Sequence, residues 1–360
     1  MYNISREGDE VFVMNIKLLP VIAILFIGLC GCHCSKKQKK TDVISQRYIH
    51  KYGYDVSRDE WNGNHYPGQV VTTLKNGVTI ASTYEDGVLH GPTSYTYPHS
   101  QTLESLQIYE RGNLIKKASF DIKGIPQKEE LFLAPTHVKT KYWYRSGTPM
   151  CVEQYLDGCL IEGEYYTLQN EIESRVENAS GVKVIRSQEG LLLAKEILSG
   201  GEVIRNEIFH SNGTPHIITA IKNGVLHGEK KVFAPSGDPI SAEHYYFGQL
   251  DGMCSYYQNG YRYLETPYRD GRKDGIERRY IDGETLIEET EYHADLKHGP
   301  SIFYTDGISK TEWYYNDELI SKVKFEELAE RERVISMMNS RVKPKISDED
   351  EESMQIGNIE

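Results

Sequence analysis

Every short motif that usually carries chemistry is missing from this chain. It has no Walker loop, no dinucleotide glycine fingerprint and no Cys-x-x-Cys pair, and neither His-Glu-x-x-His nor Gly-x-Ser-x-Gly occurs. The familiar sequence forms of a phosphate cradle, a zinc-protease centre and a hydrolase nucleophile elbow are thereby excluded. Positive charge is also short: 41 Lys and Arg stand against 53 Asp and Glu, a net charge of −12. Nucleic acid is therefore not an expected partner, because a basic face is its usual electrostatic footprint. Phe and Trp are few, at 9 and 3, whereas Tyr is abundant at 26. Tyr suits a half-exposed strand, where the ring packs and the hydroxyl stays wet.

What is present is a glycine ruler. One series of turns in the C-terminal half reads Gly213, Gly237, Gly260, Gly283, Gly307, spaced by 23 or 24 residues. A second, interleaved series reads Gly224, Gly248, Gly271, then Asp295 and Glu318 in the same slot. Earlier in the chain Gly53, Gly77, Gly124 and Gly147 keep the first register, and Gly87, Gly112 and Gly158 the second. A turn every 11 to 13 residues leaves room for one short strand per interval and little room for a helix. Asn-Gly and Asp-Gly, as at Asn259-Gly260, Asp282-Gly283 and Asp306-Gly307, supply the positive φ of tight hairpins. The expected fold is all-β: one elongated antiparallel sheet of successive hairpins, with a short C-terminal helix. About 22 strands at roughly 4.8 Å spacing make a sheet on the order of 100 Å long.

Tyr257, Tyr280 and Tyr304 each precede a turn glycine by three residues, so their rings recur on one face of alternate strands. With Trp313 they form the candidate binding face, with core packing as the alternative role for each ring. His90, His227 and His298 sit just before repeat glycines, in a slot also filled by Glu162, Asp251 and Asp274. A polar turn position explains them, and copies on alternate strands lie roughly 10 Å apart, too far for one metal site. No metal and no cofactor are expected. Glu277, Glu288, Glu289 and Glu291 fall on neighbouring strands, and paired carboxylates underlie glycoside hydrolysis. On a polar face they read instead as solvated partners of Arg278, Arg279 and Lys297, and the chain as non-enzymatic.

The N-terminus reads as an export signal. Lys17 precedes the apolar run Leu18–Ile27, which is too short to span a bilayer comfortably. Leu29-Cys30-Gly31-Cys32 then resembles a bacterial lipobox, with Cys32 as the lipidated residue and Cys30 where a smaller residue is usual. The resemblance implies a lipid-anchored envelope protein, and His33 after the Cys favours the outer membrane where the host has one. The expected boundaries are a signal peptide over 1–31 (with Met14 as an alternative start), the lipidated Cys and a basic linker over 32–45, and a repeat array over 46–320. Within the array, 162–206 is a degenerate repeat or an insertion. A helix over 321–343 and an acidic disordered tail over 344–360 follow. Cys151 and Cys159 flank one turn, and the sequence leaves their pairing open.

The second series carries one further mark. Gly87 and Gly91, Gly224 and Gly228, Gly248 and Gly252, Gly271 and Gly275, and Asp295 and Gly299 are each separated by three residues. This resembles the MORN-type repeat (membrane occupation and recognition nexus). The longer unit with a second Tyr-x-x-Gly turn resembles the variant repeat of YwqK-type antitoxin-like proteins. The resemblance implies a scaffold that binds a protein, an envelope glycan or a membrane surface through a tyrosine-rich face. Its alternatives are neutralisation of an envelope-acting toxin and direct phospholipid binding.

Overall fold

The computed structural model describes residues 42–341. Within them, 27 strands form one open antiparallel sheet of successive hairpins, each strand pairing only with its near neighbours in sequence. Four of the 27 are pieces of two or three residues. Gln249–Leu250 and Arg272–Lys273 are such pieces, cut from Gly252–Gln258 and Gly275–Ile281 where the backbone departs from extended geometry. Those interruptions raise the strand number above the expected 22.

The two turn series have different architectures. First-series turns from Leu74 to Ala234 are closed by two backbone bonds. At Tyr144, for example, its N–H donates to Thr148 and its carbonyl accepts from Gly147, both at 2.9 Å. Second-series turns are two-residue hairpins with both central residues at positive φ, as at Asp86-Gly87 (51° and 77°) and Asp270-Gly271 (49° and 80°). Their inverted twist matches that of the flanking strands. The last two turns of this series use Ala294-Asp295 and Asn316-Asp317, so the final slot belongs to Asp317 and not to Glu318. Each aspartate has a reason to be there. Asp295 Oδ1 accepts from the Lys273 N–H at 2.8 Å, and Asp317 Oδ1 from the Lys297 N–H at 2.7 Å. Backbone bonds also run from turn to turn, Gly248 to Leu226 and Gly271 to Leu250 at 2.8 Å, so the turns stack along one long side of the sheet.

The second glycine of each Gly-x-x-x-Gly pair lies opposite a tyrosine on the following strand. The pairs are Gly91 with Tyr109, Gly228 with Tyr245, Gly252 with Tyr268, Gly275 with Tyr292 and Gly299 with Tyr314. These glycines hold φ between 90° and 131°, which residues bearing a Cβ rarely adopt.

The segment 162–206, where the glycine pattern blurs, is built like the rest. Ile172–Glu177, Ser180–Arg186, Leu192–Ser199 and Glu202–Phe209 continue the ladder. Asn178-Ala179 makes its turn without glycine, at φ 50° and 58°. Thr167 and Ser187 begin first-series turns 20 residues apart, against 23 or 24 for their neighbours. The same segment holds an apolar cluster of Cys151, Leu160, Tyr165, Val176, Val184 and Leu198. Aliphatic packing there takes over from the glycine–tyrosine pairs.

Further along, a single-layer sheet must bury its centre with its own side chains. Cys254, Thr266, Glu277, Thr290 and Ser301 follow one another across five strands of one face, and none is more than 3% exposed. Thr266 donates to Glu277 at 2.9 Å, and the Thr290 and Ser301 hydroxyls share a bond of 2.7 Å.

Two helices close the ends. Arg58–Asn64 was not expected from the turn spacing; Ser57 and Glu60 form a reciprocal capping box, and Trp61 is buried against Tyr48 and Tyr84. Lys322–Arg341 follows the last strand piece, Glu318–Ile320. The expected signal peptide, Cys32 and its basic linker, and the acidic tail lie outside the described residues. No described helix is long and apolar enough to cross a membrane.

Candidate binding face

Side chains alternate between the two faces of a strand, and the register fixes which of them share a face. Ser255 lies opposite Glu265, Glu265 opposite Arg278, Arg278 opposite Glu289, and Glu289 opposite Ile302. Tyr257, Tyr280, Tyr304 and Trp313 fall on that same face, away from the buried row.

The rings are not bare. Tyr280 donates its hydroxyl to Glu265 at 2.7 Å, and Tyr304 donates to Glu289 at 2.9 Å. Arg278 Nε donates to the other oxygen of Glu289 at 2.9 Å. The Arg262 guanidinium lies 4.5 Å from the centre of the Tyr280 ring and also meets Glu265. Burial and then the Glu265 bond push the Tyr280 hydroxyl above its ordinary pKa; for Tyr304 the Glu289 bond comes first. The result is a half-buried lattice of ring, carboxylate and guanidinium, stiffened by charge-assisted hydrogen bonds. The fourth ring differs. Trp313 packs against Phe325 at 5.1 Å and lies under Lys322, so the C-terminal helix occupies its place in the strip.

The opposite face carries a second polar system. Glu243 accepts from Lys230 at 2.9 Å, from Tyr245 at 2.8 Å and from Ser241 at 2.9 Å. Lys273 lies over Tyr292 at 4.8 Å and Lys297 over Tyr314 at 4.9 Å. Burial pushes the Tyr292 hydroxyl up to about 12.

Several sequence expectations change here. Glu277 is not a solvated carboxylate: it is buried, and Thr266, Lys273 and Arg279 surround it. Glu288 and Glu289 meet Arg279 and Arg278 as expected. Lys297, expected beside these acids, instead lies over Tyr314. Cys151 is buried opposite Tyr165, and Cys159 is exposed opposite Leu156; both are free thiols.

The three repeat histidines have separate surroundings. His90 Nδ1 accepts from the Arg111 N–H at 3.3 Å, His227 packs on Tyr246 and Phe247, and His298 packs on Tyr315 and Phe325. Among the described residues no three His, Cys, Asp or Glu side chains gather as a metal-ligand set.

The Tyr–Glu links were not anticipated from sequence. Their signal is a fixed offset of 15 residues, Glu265 to Tyr280 and Glu289 to Tyr304, which one repeat spacing minus a hairpin register produces. Comparison of the chain with protein-family models finds no match, and comparison with curated proteins finds none either.

Proposed function

We propose that this chain is a non-enzymatic binding scaffold, held at the cell envelope by lipid on Cys32, whose tyrosine strip recognises a protein partner. The carrying observation is the lattice of Tyr280, Glu265, Arg262, Arg278, Glu289 and Tyr304 on one face. Preset rings and paired charges lose little side-chain freedom on contact, which favours association. Tyr and Arg are also the side chains that most often dominate protein interfaces. The lipobox resemblance and the MORN-like spacing support the placement at the envelope and the scaffold reading.

Photo-crosslinking in native membranes tests the face. Met253 and Ile276 lie on the strip's face and Lys310 on the other, all at exposed positions. Crosslinkers at Met253 and Ile276 capture the same partner, and one at Lys310 does not. Equal capture from both faces, or none from the strip, overturns the assignment. Membrane partitioning of Cys32→Ser tests the anchor; partitioning unchanged from wild type overturns it.

A further inference from the structure

At the N-terminal end of the sheet, far in sequence from the strip, three tyrosines gather round one histidine. His50 is 8% exposed and stacks on Tyr54, with ring centres 4.6 Å apart and planes 13° apart. Tyr52 lies at 5.1 Å and Tyr66 edge-on at 5.2 Å. Backbone bonds set this arrangement. His50 donates its N–H to Tyr54 at 2.9 Å, and its carbonyl accepts from Gly53 at 2.7 Å. The Tyr52 N–H donates to His50 Nδ1 at 3.3 Å, so the neutral imidazole carries its proton on Nε2. With the histidine pinned in the middle, Tyr52 and Tyr54 are held outward at 76% and 54% exposure. Behind them Trp61 wedges between Tyr48 and Tyr84, which gives the short capped helix a supporting role.

A cleft of about 450 Å³ opens beside this turn, between it and the hairpin that carries Glu85 and His90. Gln69, Thr83 and Glu85 line it with His50 and Tyr84, and His90 Nε2 sits 3.5 Å from a Glu85 oxygen. Lys51 and Glu85 contribute one cation and one anion to the wall. That balance does not suit a phosphate, which draws clustered positive charge.

We propose that this cleft binds a pyranose unit of a neutral glycan. A sugar ring presents an apolar C–H patch, which an outward tyrosine ring covers while its own hydroxyl stays wet. The ring's hydroxyls both donate and accept. Glu85 supplies acceptors only, Gln69 supplies both kinds, and Thr83 one of each, which matches that mixed demand. A few convergent polar groups beside an aromatic wall is the general form of a small-ligand site. The site is independent of the tyrosine strip and of any protein bound there.

The test is calorimetric titration of the full-length protein, in a detergent without a sugar headgroup, with chitotriose, maltotriose and inorganic phosphate. At least one oligosaccharide binds and phosphate does not. Tyr52→Ala weakens that binding by about five- to tenfold, the scale of one aromatic contact, and Tyr52→Phe restores it. Glu85→Gln weakens it as well. Both positions are exposed, so melting temperatures stay at the wild-type value and separate lost binding from lost folding. Absence of binding by either oligosaccharide overturns the proposal, as does wild-type affinity in Tyr52→Ala and Glu85→Gln. Neither result bears on crosslinking from Met253 and Ile276.

Discussion

The hydroxyl of Tyr245 donates to the carboxylate of Glu243, 2.8 Å away and two residues earlier on the same strand. Tyr155 does the same to Glu153 at 2.9 Å, and Tyr314 to Glu312 at 3.0 Å. Tyr109 reaches Gln107 at 2.7 Å. Residues two apart share a face, so an acid-x-tyrosine step satisfies both polar groups without help from a second layer. A single sheet has no other layer to turn to, and the repeated step lets it bury polar side chains at low cost.

Glu243 shows what the step is worth. Burial alone would raise its carboxyl pKa, but bonds from Lys230, Tyr245 and Ser241 prevail and hold it below the ordinary carboxylate value. A carboxyl depressed in the native state adds stability above its unfolded pKa of about 4.3, and that stability is lost as pH falls through the native value. Glu243→Gln is expected to lose about 1–3 kcal/mol at neutral pH by stranding Lys230. The gap to wild type closes on acidification, as followed by denaturant titration across pH.

Glycine substitutions should separate by what the new Cβ meets. At Gly181, φ is 139° and a Cβ would lie 2.2 Å from the Arg175 carbonyl oxygen and 2.9 Å from the Val176 Cα, both backbone. At Gly224, φ is 75° and nothing lies within 4 Å. Gly224→Ala is expected to cost about 1–2 kcal/mol for its backbone conformation alone. Gly181→Ala costs more, because the strand itself must move. Thermal melts of the two variants beside wild type check the order.

Phe325 holds the C-terminal helix to Trp313 at 5.1 Å and to His298 at 5.6 Å. Phe325→Ala should cost about 1–2 kcal/mol, less than the ~3–5 of a fully buried phenylalanine. The loss is local: hydrogen exchange rises across 322–338 and Trp313 emission moves to the red. Protection in the central strands stays as in wild type.

Thiol labelling should follow burial. Desolvation pushes the Cys151 and Cys254 thiols above their ordinary range, whereas Cys159 is exposed. Alkylation of the native protein, mapped by peptide mass, should modify Cys159 and reach Cys151 and Cys254 only after unfolding. A Cys151–Cys159 disulfide would appear as a linked peptide pair and contradict the two free thiols.

The turns were legible because positive φ selects Gly, Asn and Asp, and those residues announce themselves at fixed spacing. Ala179 and Ala294 broke the code, since the stacked ladder holds an alanine at positive φ where tertiary structure demands it. The helix Arg58–Asn64 escaped because seven residues are too few for a periodic signal, although Ser57-x-x-Glu60 was readable as a capping box. In the candidate face the shared side of Tyr257, Tyr280, Tyr304 and Trp313 followed from spacing alone. The helix over Trp313 did not, nor did the burial of Glu277, because both depend on partners distant in sequence.

Strands in this sheet pair only with near neighbours along the chain, and that has a kinetic consequence. All-β proteins usually fold slowly because distant segments must find one another before their contacts repay the lost entropy. Here the contact order is low for so much strand: each hairpin closes over a dozen or so residues and docks on the one just made. The chain can therefore zip up from its N-terminal end as it emerges, with little unpaired edge waiting for a late partner.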